Sequence, residues 1–332
     1  MVKNNNFNSV ILDIGARYGI HPSFKNFGGE NIMLLVEADK IEADRLKKRY
    51  KNFKNVIVYT QAIGKICGYK NLRILKNPAM SGFFKRKKNS PQYWGQRKYQ
   101  EKLIIKKKVK FETLKNFLKK INYKIDFLKM DIEGGELDVL KHPGNLFSSL
   151  LALRSEVSFL SNFYSSKLKD KNLIGGTFGK MNEILNKRGF KLLNFNYTGK
   201  GDYFSKYISS NEKCGMLQYT DATWIKDPIK FSKEKNPIKI IKMIVFLFSN
   251  NASDIALWLL ENTYKKHKKF KSLEHSKVLR FAQILCLKHF YNLKWLPNQK
   301  IKEHKLFYEK VFNSKYPEMN KFNESLELNP LS

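Results

Sequence analysis

Short, mostly apolar runs recur through the first two thirds of the chain, each closed by glycine or polar residues. SVILDI (9–14), NIMLLVEAD (31–39), NVIVYTQAIG (55–64), IDFLKMDIEGGE (125–136) and ALRSEVSF (152–159) lack the clean in–out alternation of a half-solvated strand. Strands need such runs when helices cover both faces of a parallel sheet. Helical spacing appears between them: near 21–28, in KIEADRLKKRY (40–50), in the second half of VKFETLKNFLKK (109–120) and in ELDVLKH after the fourth run. LRILKN (72–77) predicts one more strand, and FKLLNFNY (190–197) with ATWIKD (222–227) an antiparallel pair at the end of the sheet. Strands alternating with helices predict an α/β fold, a doubly wound, mostly parallel sheet with right-handed crossovers.

The texture changes near Asn236-Pro237. Apolar residues now recur at helical spacing in 238–248, 253–264, 276–291 and 301–312. The expected organisation is a domain over 1–235 and a helical C-terminal appendage over 236–332. The appendage carries Trp258, Trp295 and the run IIKMIVFLF (240–248) beside many lysines. Three uses fit that composition: a small helical core, a dimer interface, or peripheral contact with an anionic membrane. The run is interrupted by Lys242 and is far shorter than the roughly 20 residues of a spanning helix.

Hydrophobic residues make up 42% of the 332-residue chain, with 25 Phe and 16 Tyr, enough for a real core. MVKNNNFNSV has no apolar stretch of the signal-peptide kind, and Cys67, Cys214 and Cys286 form no disulfide framework. The expectation is a cytoplasmic protein, peripheral at the inner face of a membrane in the alternative. Lone Cys286-x-x-His289 does not make a metal site.

The formal charge of +34 changes the picture of partners more than of fold. Lysine far outnumbers arginine, and Asn and Ile are abundant, the joint bias that AT-rich codons produce. Part of the charge is then a solvated surface, but its sign still draws acidic ligands. It clusters once: between Lys85 and Lys110 eleven Lys or Arg face a single acid, Glu101. Arg86, Tyr93, Trp94 and Arg97 in that stretch could stack on sugar rings and pair with phosphates or carboxylates. The same composition also suits single-stranded RNA or a plain solvated insertion.

LDIGARYGIH (12–21) is the sharpest local signal. A strand, a glycine turn and a helix start bring backbone N–H groups to a ligand. A dinucleotide loop would read GxGxxG; here the order is Asp13-x-Gly15-x-Arg17-x-Gly19. An acid before the turn repels a pyrophosphate but suits an ammonium group, which favours S-adenosylmethionine over a nicotinamide dinucleotide. Glu37, with Ala38 beside it, stands at the end of the second strand, where an acid accepts ribose hydroxyls. Gln61 and Ala62 follow the third strand, at the expected adenine edge. The competing reading is a glycine turn that only starts a helix.

LDIGARYGIHP, LLVEAD, QAIG, FETLKNFL, IDFLKMDIEGGELDVLK and RSEVSF, in that order, resemble the FkbM-type S-adenosylmethionine-dependent methyltransferases over residues 9–225. The resemblance implies a Rossmann-like class I methyltransferase domain. It also implies methyl transfer to oxygen, typically a sugar hydroxyl, as in polysaccharide or glycoconjugate assembly. Asp13, Gly15 and Gly19 match its glycine loop, Glu37 its ribose-binding acid, and Asp131, Glu133 and Gly134 its motif after the fourth strand; Ala16 and Arg17 in the loop and Asp131 are further candidate cofactor contacts. Arg17 departs from the pattern, as a structural pin or as a contact to an acidic acceptor. The segment 236–332 is outside the resemblance.

Transfer to a hydroxyl needs alignment and a proton acceptor. Asp131 and Glu133, at the carboxyl end of a central strand, are candidates for base, for orienting the acceptor, or for holding a divalent cation. The competing reading is that Glu133-Gly134-Gly135 only shapes a turn. His21 is a further candidate base, and Glu156 could reach in from the next strand. The expected acceptor is an acidic saccharide, with RNA or a non-catalytic basic binding role as alternatives.

Overall fold

The computed structural model describes residues 8–25, 31–86, 100–159, 163–164, 178–200 and 217–264. Seven strands form the main sheet: β1 (Val10–Ile14), β2 (Ile32–Glu37), β3 (Val56–Thr60), β8 (Phe127–Met130), β9 (Ala152–Ser158), β11 (Phe190–Lys200) and β12 (Leu217–Lys226). Their order is β11-β12-β9-β8-β1-β2-β3. The run from β9 to β3 is wholly parallel, and β12 and β11 close the edge antiparallel. This is the doubly wound, mostly parallel sheet expected from the apolar runs.

Helices α1 (Pro22–Lys25), α2 (Lys40–Arg49), α3 (Leu114–Ile121), α4 (Glu136–Lys141), α5 (Leu146–Ser149) and α6 (Phe178–Lys187) follow the strands or connect them. One face of the sheet sets Leu12, Ile14, Leu128, Met130 and Leu153 against Phe117 and Leu118 of α3, Val139 and Leu140 of α4, and Met181 and Leu185 of α6. Side chains cap two of the helix starts: Asp39 accepts from Ile41 N–H, and Thr113 from Asn116 N–H.

The run 55–64, expected as a third strand running into a loop, holds two strands. The chain leaves the main sheet at Thr60 and re-enters β structure at once as β4 (Ala62–Gly64). With β5 (Gly68–Leu75) and β7 (Leu103–Thr113), β4 builds a separate three-stranded sheet in the order β4-β7-β5. A further two-residue pair joins β6 (Lys85–Arg86) to β10 (Phe163–Tyr164).

Beyond α7 (Pro228–Phe231), α8 (Pro237–Ser249) and α9 (Ser253–Tyr264) match two of the expected helical segments. The other two expected segments, 276–291 and 301–312, lie outside the described residues. Both helices lie within the same compact unit as the sheet. The reason is packing. Phe246 of α8 stacks on Phe127 of β8, with centroids 4.9 Å apart and planes 9° off parallel. Lys242, the charge that interrupts the apolar run, reaches Asp126 at 2.7 Å just before β8. Asp126 Oδ2 also accepts from Val10 N–H at 2.9 Å, so α8 is tied to the central strands. No described helix is long and apolar enough to cross a membrane.

Replacing Phe246 with Ala should cost about 3–5 kcal/mol and lower the denaturation midpoint of the sheet in one transition. Separate melting of a C-terminal part, with the sheet unaffected, would contradict this docking.

Candidate active site

Doubly wound sheets collect ligands at the carboxyl ends of their strands. Here a cavity opens at that end, walled by residues after β1, β2 and β8 and by the three-stranded sheet. Of the positions singled out from the sequence, Gly15, Arg17, Glu37, Ala38, Gln61, Ala62, Asp131 and Glu133 line it. The three-stranded sheet and its loops contribute Lys70, Phe83, Phe84 and Phe111, with Phe83 edge-on to Phe111 at 4.2 Å.

The glycine loop is shaped by crowding. Gly15 has φ +87°, and a Cβ there would sit inside the van der Waals shell of the Asp131 carbonyl oxygen. Its N–H donates to Val36 O at 2.9 Å, and that of Ala16 donates to the same oxygen at 3.1 Å. Gly19, φ +90°, lies against the Tyr50 hydroxyl. Ala16 and Gly19 therefore build the loop but do not face the cavity.

Asp13 also plays a different part from the expected contact to an ammonium group of the cofactor. It is fully buried, does not line the cavity, and pairs with Lys129 of β8 at 3.2 Å. Lys129 Nζ also lies 3.6 Å from Asp131 and 3.3 Å from Gly15 O. Burial alone would lower the pKa of this ammonium, but the charges of Asp13 and Asp131 outweigh it and hold Lys129 firmly protonated. Burial pushes the Asp13 carboxyl up, and Lys129 opposes that.

Glu37 is buried at the cavity wall, which raises its pKa, although its Oε1 accepts from Asp39 N–H at 2.8 Å. Arg17 spans to Asp39 at 3.3 Å and to Glu42 at 3.5 Å, so it pins the loop to α2. Lys107 of β7 reaches Asp39 from the three-stranded sheet at 2.8 Å. Against the effect of partial burial, Lys107 and Arg17 hold Asp39 below the usual carboxylate range.

The turn after β8 is strained and internally braced. Glu133 has φ +56°, a left-handed conformation uncommon for a residue with a side chain, and Gly134 follows at +101°. Glu136 is buried and accepts from the N–H groups of Ile132 at 2.9 Å and Gly134 at 3.1 Å. Burial, only partly offset by these amides, pushes its pKa up to about 7. Oxygens of Asp131, Glu133 and Glu156 fall within 4.8 Å of one another, a spacing at which all three could reach one divalent cation.

The structure moves His21 out of the set of candidate bases. It does not line the cavity, and its Nδ1 lies 2.6 Å from Ser23 Oγ at the start of α1. Tyr93, Trp94 and Arg97 lie outside the described residues, as does the side chain of Arg86. Sequence reasoning missed Lys129 and Glu136. The signal for Lys129 was present: a lone charge inside a strand that must be buried on both faces.

The methyltransferase FkbM domain model matches residues 13–192, a span of 180 positions in a chain of 332. The chain belongs to this family. The FkbM-family protein is thus an S-adenosylmethionine-dependent methyltransferase. No curated protein matches it. Among solved structures, a precorrin-6y C5,15-methyltransferase from Geobacter metallireducens shares 12% identity, over 66% of this chain and 80% of that one, with a TM-score of 0.29. A SAM-dependent methyltransferase from Aquifex aeolicus shares 11%, over 66% and 86%, also at 0.29. TrmK from M. capricolum, solved with S-adenosylhomocysteine, shares 11%, over 87% and 93%, at 0.29. Similarity at that level adds no weight to the family match.

The FkbM-family cavity suits its cofactor. Glu37 offers carboxylate oxygen where a diol can donate, and Gln61 Nε2 is buried at the wall with no hydrogen-bond partner among the described residues. A buried orphan donor of this kind is costly unless a ligand acceptor meets it.

Two expectations follow. Gly15→Ala should abolish S-adenosylmethionine binding by calorimetry, because the added methyl group forces β1 and β8 apart. Glu136→Gln should flatten the pH dependence of stability. A carboxyl raised to about 7 in the fold from the ordinary 4.5 binds more protons folded than unfolded, so wild-type stability falls as pH rises from about 4.5 through 7. That loss is on the order of 3 kcal/mol by pH 8 and should be absent in the Gln variant; parallel melting-temperature curves for the two proteins would refute it.

Proposed function

We propose that the enzyme methylates a hydroxyl of an acidic saccharide, in glycan or glycoconjugate assembly in the cytoplasm. The observation that carries this reading is the convergence of Asp131, Glu133 and Glu156 on the cavity end of β8 and β9, within 4.8 Å of one another. S-adenosylmethionine supplies a methyl group as an electrophile. A hydroxyl acceptor must lose its proton as it attacks, and closely set carboxylates are suited to orient it and take that proton. Asp131 is exposed and lines the cavity, with the Lys129 ammonium a fixed positive charge behind it.

The opposite wall supports the acceptor class. Phe83, Phe84 and Phe111 offer apolar surfaces to a sugar ring, while Lys65 and Lys70 bring positive charge to the same cavity. Lys70 Nζ sits 4.8 Å from the centroid of Phe111, which positions it over the ring. A glycan carrying carboxylates or phosphates meets both features.

Asp131→Asn should lower kcat for transfer of a labelled methyl group to an acidic oligosaccharide by about 100- to 10,000-fold, with cofactor affinity changed only a few-fold. Activity should persist in EDTA if the carboxylates act directly as bases. Transfer to RNA in place of saccharide would overturn the acceptor assignment while keeping the methyltransferase.

A further inference from the structure

At the amino-terminal ends of the parallel strands, away from the methyl-transfer cavity, the molecule has a second concavity of about 540 Å³. It lies where the chain enters β9 after Leu151 and leaves β12 at Lys226, whose N–H donates to Leu151 O at 2.9 Å. Six cations line it: Arg188, Lys226, Lys230, Lys233, Lys235 and Lys239. Its two carboxylates are already engaged. Asp227 accepts from Ile229 N–H at 3.0 Å and Lys230 N–H at 3.4 Å, capping α7. Glu234 accepts from the N–H groups of Lys235 and Asn236 and lies 3.9 Å from Lys239.

Two of the cations are held in place. The Lys226 ammonium lies 4.2 Å from the centroid of Phe190 and donates to Arg188 O at 3.4 Å. The Arg188 guanidinium lies 5.3 Å from the centroid of Phe147, and the two rings pack edge-on at 5.8 Å. No carboxylate of the described residues pairs with either cation. Partial burial, and then the charge of Lys239, push the Lys226 pKa down. An aromatic ring steadies a cation without neutralising it, so the cleft keeps a fixed positive excess that a compact anion would relieve. Rings that hold two cations in place also reduce the entropy lost when such an anion is clasped.

We propose that this cleft is a binding site for the diphosphate group of a soluble small molecule, separate from the methyl-transfer cavity. Its chemistry requires neither the cofactor nor the acceptor.

Calorimetric titration of the full chain with inorganic pyrophosphate at 0.15 M salt tests this. Saturable binding is expected, weakened at least tenfold in Arg188→Gln/Lys226→Met, with S-adenosylmethionine affinity unchanged. Should that pair disturb folding, Lys230→Gln/Lys233→Gln, confined to exposed lysines, should weaken binding by a similar factor. Lys48→Gln/Lys119→Gln, which removes the same charge elsewhere, should leave it unchanged. Equal losses in the cleft and control variants would mean diffuse attraction by a basic protein and overturn the site. So would the absence of saturation by pyrophosphate, or binding to anionic vesicles without binding to pyrophosphate.

Discussion

One buried ammonium holds the carboxyl ends of the two central strands together. Lys129 on β8 faces Asp13 on β1 and lies within reach of Asp131 and the Gly15 carbonyl. Removing one member of such a pair strands the other charge in low dielectric, a loss of about 3–5 kcal/mol. The backbone is equally committed, because Gly15 presses on the Asp131 carbonyl with no room for a methyl group. Loop and acid turn, the two segments that meet at the site, are therefore fixed by a single juncture of β1 with β8.

A second charge network carries that order outward. Asp39 caps α2, binds Arg17 from the glycine loop, and binds Lys107 from the three-stranded sheet. One carboxylate thus joins the loop, a helix and the cavity's far wall. Glu37, whose oxygen receives Asp39 N–H, is oriented by the same turn. At the other end of the sheet Asp126 plays a matching part, binding Val10 N–H and Lys242. Charges at both ends of β8 fasten elements that the apolar core alone would let slide.

The strands and their parallel order were legible in the sequence because burial on both faces demands continuous apolar runs, and 9–14, 31–39 and 125–130 satisfy it plainly. The glycine loop and Glu37 were legible because their spacing is set by backbone geometry near the chain's own turn. The pairing of Lys129 was not, although its lone charge stands out in a buried strand: its partner Asp13 lies 116 positions away and only the pairing of β1 with β8 brings them together. The division of 55–64 into β3 and β4 escaped for a related reason. Nothing local distinguishes one strand from two when a single residue separates them. The docking of α8 was equally hidden: its apolar spacing reads the same for a helix on the sheet as for one in a core of its own, and Phe127 makes the difference.

That division of 55–64 has a mechanical side. Thr60 is hydrogen-bonded into the main sheet and Ala62 into the smaller one, so Gln61 alone crosses between them, its N–H anchored on Glu37 O at 3.0 Å. Two sheets joined by one restrained residue cannot swing apart like domains on a linker. The floor and one wall of the cavity form a single stiff bracket, already spaced for whatever lies between them. A ligand entering it spends little of its binding energy on closing the protein, and selection by size is built into the backbone before any side chain makes contact.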